Sequence, residues 1–566
     1  MKIYKDKLGK FFYVFEFDFD YLTLDKCRII KKNLGSDKFN YYKDNWRFND
    51  LAVFDELQKS FNKLTVDVSM YDDIKKYRIK KEEERDKIEK ANEIKNATES
   101  TLENIEGIKG ELFPYQKLGV EFFVNNNGKG ILADSMGLGK TLQALAYVSH
   151  TKKKKTLVIC PASVKYSWKA EVEKWTKLKP FVVVSKEYND FDDKVFNDHD
   201  IFIINYDLVV KFLSKLKAFR LDCMVADEFH YIKNNAAKRT KAVKEISLEI
   251  DSILLLSGTP MLNKPVELFN GLQLIDRENW NNWFKYVSRY CGAYRDRFGL
   301  NTNGATHIDE LKEKISHYFL RRKKENVLKE LPPKIHTNLP VELDTEVYKR
   351  YKFAEKEFIK YLREIKNKKI SEKQSEQALK LVKLNELRQL SSEGKVNHAK
   401  DLINKVIENN EKILVFSVYN QPLEDLKKEF GDAAVMITGK TNAEDRKDIV
   451  DEFQSNKNIK IFLGGMKSAG IGITLTAASS VLFVDYSWVP ADHCQAEDRA
   501  HRIGQDANKV SVYQLYGKDT IDEYMFETLS KKQAIFNKLI EDEPTETKRQ
   551  TNLITDVINM IEKRST

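Results

Sequence analysis

Residues 130–145 read GILADSMGLGKTLQAL, and this stretch decides the fold. Its apolar start predicts a short buried strand, and its TLQAL end opens an amphipathic helix. Between them lies the Gly-rich turn MGLGK (136–140). Set directly between strand and helix, such a turn aims backbone N–H groups at an anion held at the helix N-terminus. Gly137 and Gly139 would let the backbone approach phosphate. Lys140 would reach the β/γ-phosphates of ATP, and Thr141 would offer its hydroxyl to Mg2+. The strict GxxxxGK[ST] pattern is not met, because Asp134 holds the position of its first glycine. Taken alone, GLGKT also fits a plain glycine-rich turn.

Outward from this turn, short apolar runs recur, each followed by a polar turn and a helix-like stretch. They are GILAD (130–134), TLVICP (156–161), IFIINYD (201–207), CMVADE (223–228) and SILLLSGT (252–259). Buried parallel strands joined by helical crossovers leave this signature. The pattern stops near Asp276 and gives way to a largely helical region that includes TEVYKRYKFAEKEFIKYLREIKNKK (345–369). It resumes with KILVFSV (412–418), AAVMITG (433–439), IKIFLGG (459–465), SVLFVDY (480–486) and VSVYQLY (510–516). Two such blocks predict two parallel-sheet domains with a cleft between them.

A chain of 566 residues exceeds one hydrophobic core and should divide into several domains. Its 42% hydrophobic and 32% charged residues suit a globular protein with a well-charged surface. No apolar run approaches a bilayer span, and the opening MKIYKDKLGKFFYVFEF has no signal-peptide apolar core. Cys27, Cys160, Cys223, Cys291 and Cys494 are scattered without a CxxC pair, which argues for a reducing compartment and against a zinc site. The net charge of +10 is a mild surplus that allows a phosphate-binding groove without demanding one. The Lys152–Lys155 run fits a nucleic-acid patch, but more often such a block is a solvated loop.

Ahead of the first block, residues 11–62 predict a small α/β unit. FFYVFEFDF is strand-like and DKCRIIKKNL helix-like. FNYYKDNWRF is a second strand candidate, and NDLAVFDELQKSF is an amphipathic helix capped by Asn49 or Asp50. Tyr41, Tyr42, Trp46 and Phe48 crowd the second strand, interleaved with Lys43 and Arg47. Such a strand suits base stacking beside phosphate-binding cations, or a plain core. From Lys75 to about Gly110 the charged, helix-favouring sequence predicts a solvated connecting helix.

CMVADEFH (223–230) puts Asp227 and Glu228 at the exposed end of a buried strand. Mg2+ needs a carboxylate there, and an attacking water needs a base. Asp227 is assigned to the metal and Glu228 to the water, with His230 placed to sense the γ-phosphate side. Late in the second block, QAEDRAHRIGQ (495–505) carries Arg499 and Arg502 three apart, on one face if helical. Cations supplied from the opposite lobe would stabilise transition-state charge on a phosphoryl group. The alternative is a helix whose arginines pair with Glu497 and Asp498.

With these residues in place, the chain resembles the superfamily-two helicase-type ATPases of the Swi/Snf family. The ordered matches are FPYQKLGV, DSMGLGKT, VICPASVKYSW, DEFH, LLSGTPMLNKPVELFN, YFLRRKKENVLKELPPK, ITGKTNAEDRKDIVDEFQ, GGMKSAGIGITLTAAS and VDYSWVPADHCQAEDRAHRIGQ, over about Glu111 to Lys538. The short inter-lobe region and the wording of several motifs are similar to the HARP-type annealing-helicase branch. YYKDNWRF is loosely similar to the HARP module. The resemblance implies that Gln116 recognises adenine, and that Ser257, Gly258, Thr259 and Gln495 couple hydrolysis to lobe movement. It implies nucleic-acid contacts from Lys165, Trp168, Tyr206, Thr438, Gly439, Ser468 and Gly470, with Trp488 against the duplex. Ser135 and Val489 stand where family members usually carry Glu and Asn.

The expected architecture is α/β: two RecA-like parallel-sheet lobes with helical insertions and a small N-terminal α+β domain. The expected layout is an accessory domain at 1–65, a charged linker at 66–110 and lobe 1 at 111–276. An insertion and inter-lobe region at 277–394, lobe 2 at 395–540 and a tail at 541–566 follow. The expected function is an ATP- and Mg2+-dependent translocase on double-stranded or forked DNA, cytoplasmic or nucleoid-associated, or nuclear in a eukaryote, with no membrane partner. The alternatives are a strand-separating DNA or RNA helicase, which needs a wedge such as a hairpin within 270–345, and a nucleotide-gated DNA-binding scaffold.

Overall fold

The structure, a computed structural model, describes residues 1–527 and 561, except 9–10, 19, 35–37, 43–44, 259–263, 297–298, 303, 329, 368–373, 443–444, 467–472 and 503. The chain forms two compact units, Met1–Asn92 and Glu93–Thr566. Among the described residues no helix is long and apolar enough to cross a membrane.

The first unit is a five-stranded sheet with strands β1 (Lys2–Leu8), β2 (Phe11–Glu16), β3 (Phe39–Tyr42), β4 (Asn45–Phe48) and β5 (Thr65–Val66), in the order β3-β4-β2-β1-β5. FNYYKDNWRF is therefore an antiparallel hairpin, β3 on β4, and not one strand. The helices Tyr21–Leu34 and Ala52–Ser60 supply Cys27, Ile30, Val53, Phe54 and Leu57 to a core that also holds Ile3, Phe39, Trp46 and Phe48. The cap position of the second helix is Leu51, not Asn49 or Asp50, although Asp50 accepts the Ala52 amide at 2.9 Å. The expected boundary at 65 falls inside this unit, because Met70 and Ile74 complete the same core. Trp46 and Phe48 are core residues and Arg47 is buried against Asp6, whereas Tyr41 and Tyr42 are exposed. Lys43 lies outside the described residues.

In the second unit, lobe 1 contains β6 (Lys129–Leu132), β7 (Thr156–Cys160), β8 (Pro180–Val182), β9 (Ile201–Asn205), β10 (Cys223–Asp227) and β11 (Ser252–Leu256). A short antiparallel hairpin, β12 (Tyr294–Asp296) with β13 (Gly299–Asn301), precedes β14 (Phe319–Leu320), which joins the same sheet as lobe 1. The lobe 1 order is β14-β6-β11-β10-β7-β9-β8, parallel throughout. Lobe 2 contains β15 (Lys334–Val341), β16 (Ile413–Ser417), β17 (Ala434–Ile437), β18 (Ile461–Gly465), β19 (Ser480–Phe483) and β20 (Val510–Gly517). Its order is β15-β20-β19-β16-β18-β17, again parallel.

The apolar runs read from sequence are strands of the two sheets, and in the central ones the residues are almost all buried, as parallel strands covered on both faces must be. β14 and β15 both fall in the stretch expected to be inter-lobe. β14 is two residues long, and β15 is a half-exposed edge strand containing Pro340, so neither shows an apolar run. Helices Thr345–Asn367 and Gln374–Glu393 pack Tyr351, Phe358 and Leu387 against Tyr486 and Ile521, which makes them part of lobe 2.

Candidate functional site

Because β11 is hydrogen-bonded to both β6 and β10, the carboxyl ends of these three strands lie side by side. Open parallel sheets bind ligands at such ends. The Gly-rich loop leaves β6 and leads into the helix Lys140–His150, with Gly137 and Gly139 at φ 84° and 71°, a region that side chains disfavour. Lys140 Nζ donates to the carbonyls of Asp134 (2.8 Å) and Ser135 (3.4 Å), across the mouth of its own loop. Burial lowers its proton affinity, opposed by Glu228, Asp134, Asp227 and Asp498. Gln116, at the third position of the helix Pro114–Asn125, accepts the Phe113 amide (3.1 Å) and donates to Leu138 O (3.4 Å), so the adenine candidate touches the loop.

Glu228 follows β10 in the left-handed region (φ 50°, ψ 52°), an unusual conformation for a side chain with a Cβ. Its carboxylate accepts Ser257 Oγ at 2.9 Å and lies 3.2 Å from His230 Nδ1, which is itself 3.5 Å from Ser257 Oγ. Burial would raise its pKa, but His230, Lys140 and Ser257 outweigh that and hold it low. Burial, and then the adjacent Glu228 charge, instead raise Asp227 to about 6. Gly258 brings the coupling loop against the phosphate loop: a Cβ there would lie 2.7 Å from Met136 Cγ and 3.5 Å from Lys140 Nζ. Thr259 lies outside the described residues.

From lobe 2, the helix Pro490–Glu497 ends before the two arginines, and the chain tightens into turns, with Arg499 N bonded to Ala496 O and Arg502 N to Ala500 O. The expected helical face is thus a turn. Nor do Glu497 and Asp498 hold the arginines: their ion-pair partners are Lys334 and Lys324, and His336 Nε2 lies 3.2 Å from Glu497. Arg499 is buried, with Nε on Gln495 O and Nη1 on Ile473 O, both 3.0 Å. Burial, then Arg502, lowers its pKa to about 10, with Glu228 across the cleft acting the other way. Arg502 donates to Thr474 Oγ1 at 2.8 Å, and its Cγ stands 3.3 Å from the place a Cβ on Gly137 would take. Lobe 2 therefore lays an arginine on the glycine loop of lobe 1.

Residues 115–395 match the SNF2-related domain, and residues 394–504 match the helicase conserved C-terminal domain. The chain belongs to the SNF2-related family. It is 28% identical over 456 residues to the Homo sapiens DNA annealing helicase and endonuclease ZRANB3, covering 78% of this chain and 42% of that protein. It is 32% identical over 440 residues to the Caenorhabditis elegans SWI/SNF-related matrix-associated actin-dependent regulator of chromatin subfamily A-like protein 1 homolog, covering 76% and 62%. Among solved structures it is similar to the Sulfolobus solfataricus SWI2/SNF2 ATPase core in complex with dsDNA, at 29% identity and TM-score 0.39, covering 78% of this chain and 95% of that one. The resemblance to the annealing-helicase branch is thus present among its relatives, and the chain spans under two thirds of the curated ones.

Three nucleic-acid candidates of this SNF2-related chain are buried instead. Trp168 is 2% exposed, in the core beneath the helix Lys165–Trp175, and its Nε1 donates to Asp227 Oδ2 at 2.8 Å. Tyr206, also buried, donates to Asp227 O at 2.7 Å, and the buried Lys165 Nζ donates to Val183 O at 3.0 Å. Trp168 thus holds the Asp227 side chain, and Tyr206 holds its backbone carbonyl. Beyond β17, Thr438 is buried and accepts the Lys440 amide at 3.3 Å, while Gly439 is exposed. Trp488 is half-buried under the Arg388 guanidinium, 4.8 Å from its ring centre. Gln495 is buried. Ser468 and Gly470 lie outside the described residues.

Sequence reasoning assigns no role to Arg322 or Lys324, yet both sit at the loop. Arg322 donates to both oxygens of the fully buried Asp134 (3.0 and 2.5 Å) and to Gln143 Oε1 (2.8 Å). The aspartate at the first glycine position of the phosphate-loop pattern is thereby the anchor of an arginine from far along the chain. Asp227 and Thr141 are the protein groups that would hold Mg2+: the raised Asp227 carboxyl has a dehydrated charge that a cation would relieve. Among the described residues no group of three or more His, Cys, Asp or Glu gathers as a metal cage. Mg2+ suits that sparse set, because it keeps waters and phosphate oxygens as its other ligands.

Proposed function

We propose that this chain hydrolyses ATP between its lobes and uses the cycle to translocate along double-stranded DNA, remodelling it by reannealing, fork regression or displacement of bound proteins. The observation that carries the reading is Arg502 of lobe 2 lying on Gly137 of lobe 1. In this reading Lys140 and the loop amides hold the phosphates, and Asp227 and Thr141 would hold Mg2+, which would supply neutralisation of phosphate charge. Glu228 takes a proton from the attacking water as the bond to the terminal phosphorus forms, and Arg499 and Arg502 stabilise the charge that moves to the leaving oxygen. Ser257 and His230, both on the Glu228 carboxylate, are placed to register its change of charge.

The DNA part of the proposal is supported by the names of the relatives, and by Gly439, whose exposed backbone offers an approach for phosphate. The test is the ATPase rate on duplex, forked and single-stranded DNA, with RNA as control, together with a triplex-displacement assay. Duplex or forked DNA should stimulate most, and stimulation should fall steeply with salt because phosphate contacts release counterions. Stimulation by RNA equal to that by duplex would overturn the DNA assignment. The β12–β13 hairpin favours a second reading, strand separation, since it falls within 270–345, where that reading needs a wedge. Efficient unwinding of a tailed duplex, lost on Tyr294→Ala, would establish that reading instead.

A further inference from the structure

We propose that Lys324 is a positioning residue for hydrolysis, tying the glycine loop of lobe 1 to the lobe 2 segment that carries Arg499 and Arg502. The inference rests on the reading that these arginines act on the nucleotide. Phe319 and Leu320 pair with Ile131 and Leu132, and the register continues past the strand. Ala133 N donates to Leu320 O (2.7 Å), and Ser135 N donates to Arg322 O (3.0 Å). With Arg322 fastened to Asp134, the segment runs alongside the start of the phosphate loop and delivers Lys324 to its tip. There Lys324 Nζ and Cε stand 3.3 and 3.4 Å from the place a Cβ on Gly137 would take. The same ammonium donates to Asp498 Oδ1 (2.8 Å) and His501 O (2.6 Å), and its side chain is only 4% exposed.

Asp498 immediately precedes Arg499, and His501 immediately precedes Arg502. One buried ammonium therefore lies beside the loop and bonds both residues that precede the arginines. Distance matters steeply in such a pair, because little water screens it. An anion placed in the glycine loop would act on this ammonium as well as on Lys140, so nucleotide occupancy and the hold on Asp498 are linked. A plain structural brace would show itself as lost stability. The geometry separates the two, since Asp498 keeps Lys334 at 3.6 Å when Lys324 loses its charge.

The experiment measures kcat and KM for ATP on saturating duplex DNA, the Kd of a fluorescent ATP analogue, and the melting midpoint. The proteins are the full chain, Lys324→Met, Lys324→Arg, Asp498→Asn, the Lys324→Met/Asp498→Asn double variant and Arg502→Ala. Lys324→Met should lower kcat about 10- to 100-fold, as misplacement of a transition-state group by about 1 Å does. Its Kd should rise by less than its kcat falls, and the double variant should be no slower than the slower single one. Lys324→Arg, which keeps the charge, should recover most of the rate. Parental kcat in Lys324→Met, while Arg502→Ala loses turnover, overturns this inference alone. Parental kcat in Arg502→Ala overturns the reading beneath it. Additive losses in the double variant, or a fall in melting midpoint that matches the fall in rate, overturn the coupling in favour of a brace.

Discussion

Removing the Arg322 guanidinium while keeping Asp134 should destabilise lobe 1 more than any single change at its surface. Asp134 has no exposure, and its carboxylate accepts Arg322 N (3.1 Å), Arg322 Nε (3.0 Å), Arg322 Nη2 (2.5 Å) and Gln143 Nε2 (3.1 Å). Arg322 also donates to Tyr115 O and stacks on that ring, 5.4 Å from its centre. Arg322→Leu leaves the buried carboxylate with one amide and one glutamine. Breaking a buried pair from one side costs about 3–5 kcal/mol. For a lobe of this size each kcal/mol shifts the midpoint by about 2–4 °C, so a fall of about 6–20 °C is expected. The second half of the experiment restores the glycine of the strict phosphate-loop pattern. Asp134→Gly in the Arg322→Leu background removes the orphaned charge and should recover at least half of the loss, because removing both partners is far cheaper than removing one. Scanning calorimetry reads the midpoints, and hydrogen exchange at the Ile131–Ala133 amides localises the effect to the strand beside β14. A chain of several domains melts in several steps, so transitions are compared one by one. A shift below about 2 °C in Arg322→Leu, or no recovery in the double variant, would refute the reasoning, since under 1 kcal/mol is the yield of a surface pair.

Lys140→Ala should abolish ATP turnover. Glu228→Gln should bind the nucleotide about as well as the parent yet hydrolyse it at least about 100-fold more slowly, because an amide takes no proton; single-turnover kinetics would expose comparable hydrolysis. Asp227, raised to about 6, holds its proton more tightly in the nucleotide-free protein than a free carboxyl does. Mg2+ must displace that proton, so the apparent Mg2+·ATP affinity should be flat above about pH 7 and fall about tenfold per unit below about pH 6. Calorimetric titrations showing the same affinity at pH 5 and pH 7 would remove Asp227 from the metal site. Trp168→Phe deletes the indole N–H on Asp227, a bond to a charged group worth about 1.5–3 kcal/mol, and should weaken Mg2+·ATP binding about 10- to 100-fold. Nucleotide-free duplex affinity should stay at the parental value; a loss there would return Trp168 to the DNA surface.

What the sequence determined by itself was local in origin. A strand buried on both faces has to be apolar, so VICP, MVAD and LLLSG stand out, and Asp227 and Ser257 at the carboxyl ends of the last two mark a rim where chemistry gathers. The glycines of the phosphate loop are legible for the same reason: their backbone angles are a property of a few adjacent residues. Side-chain destination is different. Trp168 and Lys165 sit in a motif that reads as a DNA contact, but whether a residue on a helix faces core or solvent depends on what packs against it, and β10 placed Asp227 under the indole. At two residues β14 is too short to carry a period, and β15 buries none of its residues, so neither shows an apolar pattern. Arg499 and Arg502 are readable as a pair, yet the turn that carries them and lays Arg502 on Gly137 is set by bonds to Ile473, Thr474 and Lys324 from elsewhere in the chain. Asp134 looked like a defect in a motif until Arg322, 188 residues away, was seen to hold it. Such pairs are decided by the tertiary structure because a buried charge is tolerable only where the fold brings an opposite one to it, and nothing in the neighbouring sequence records which one that is.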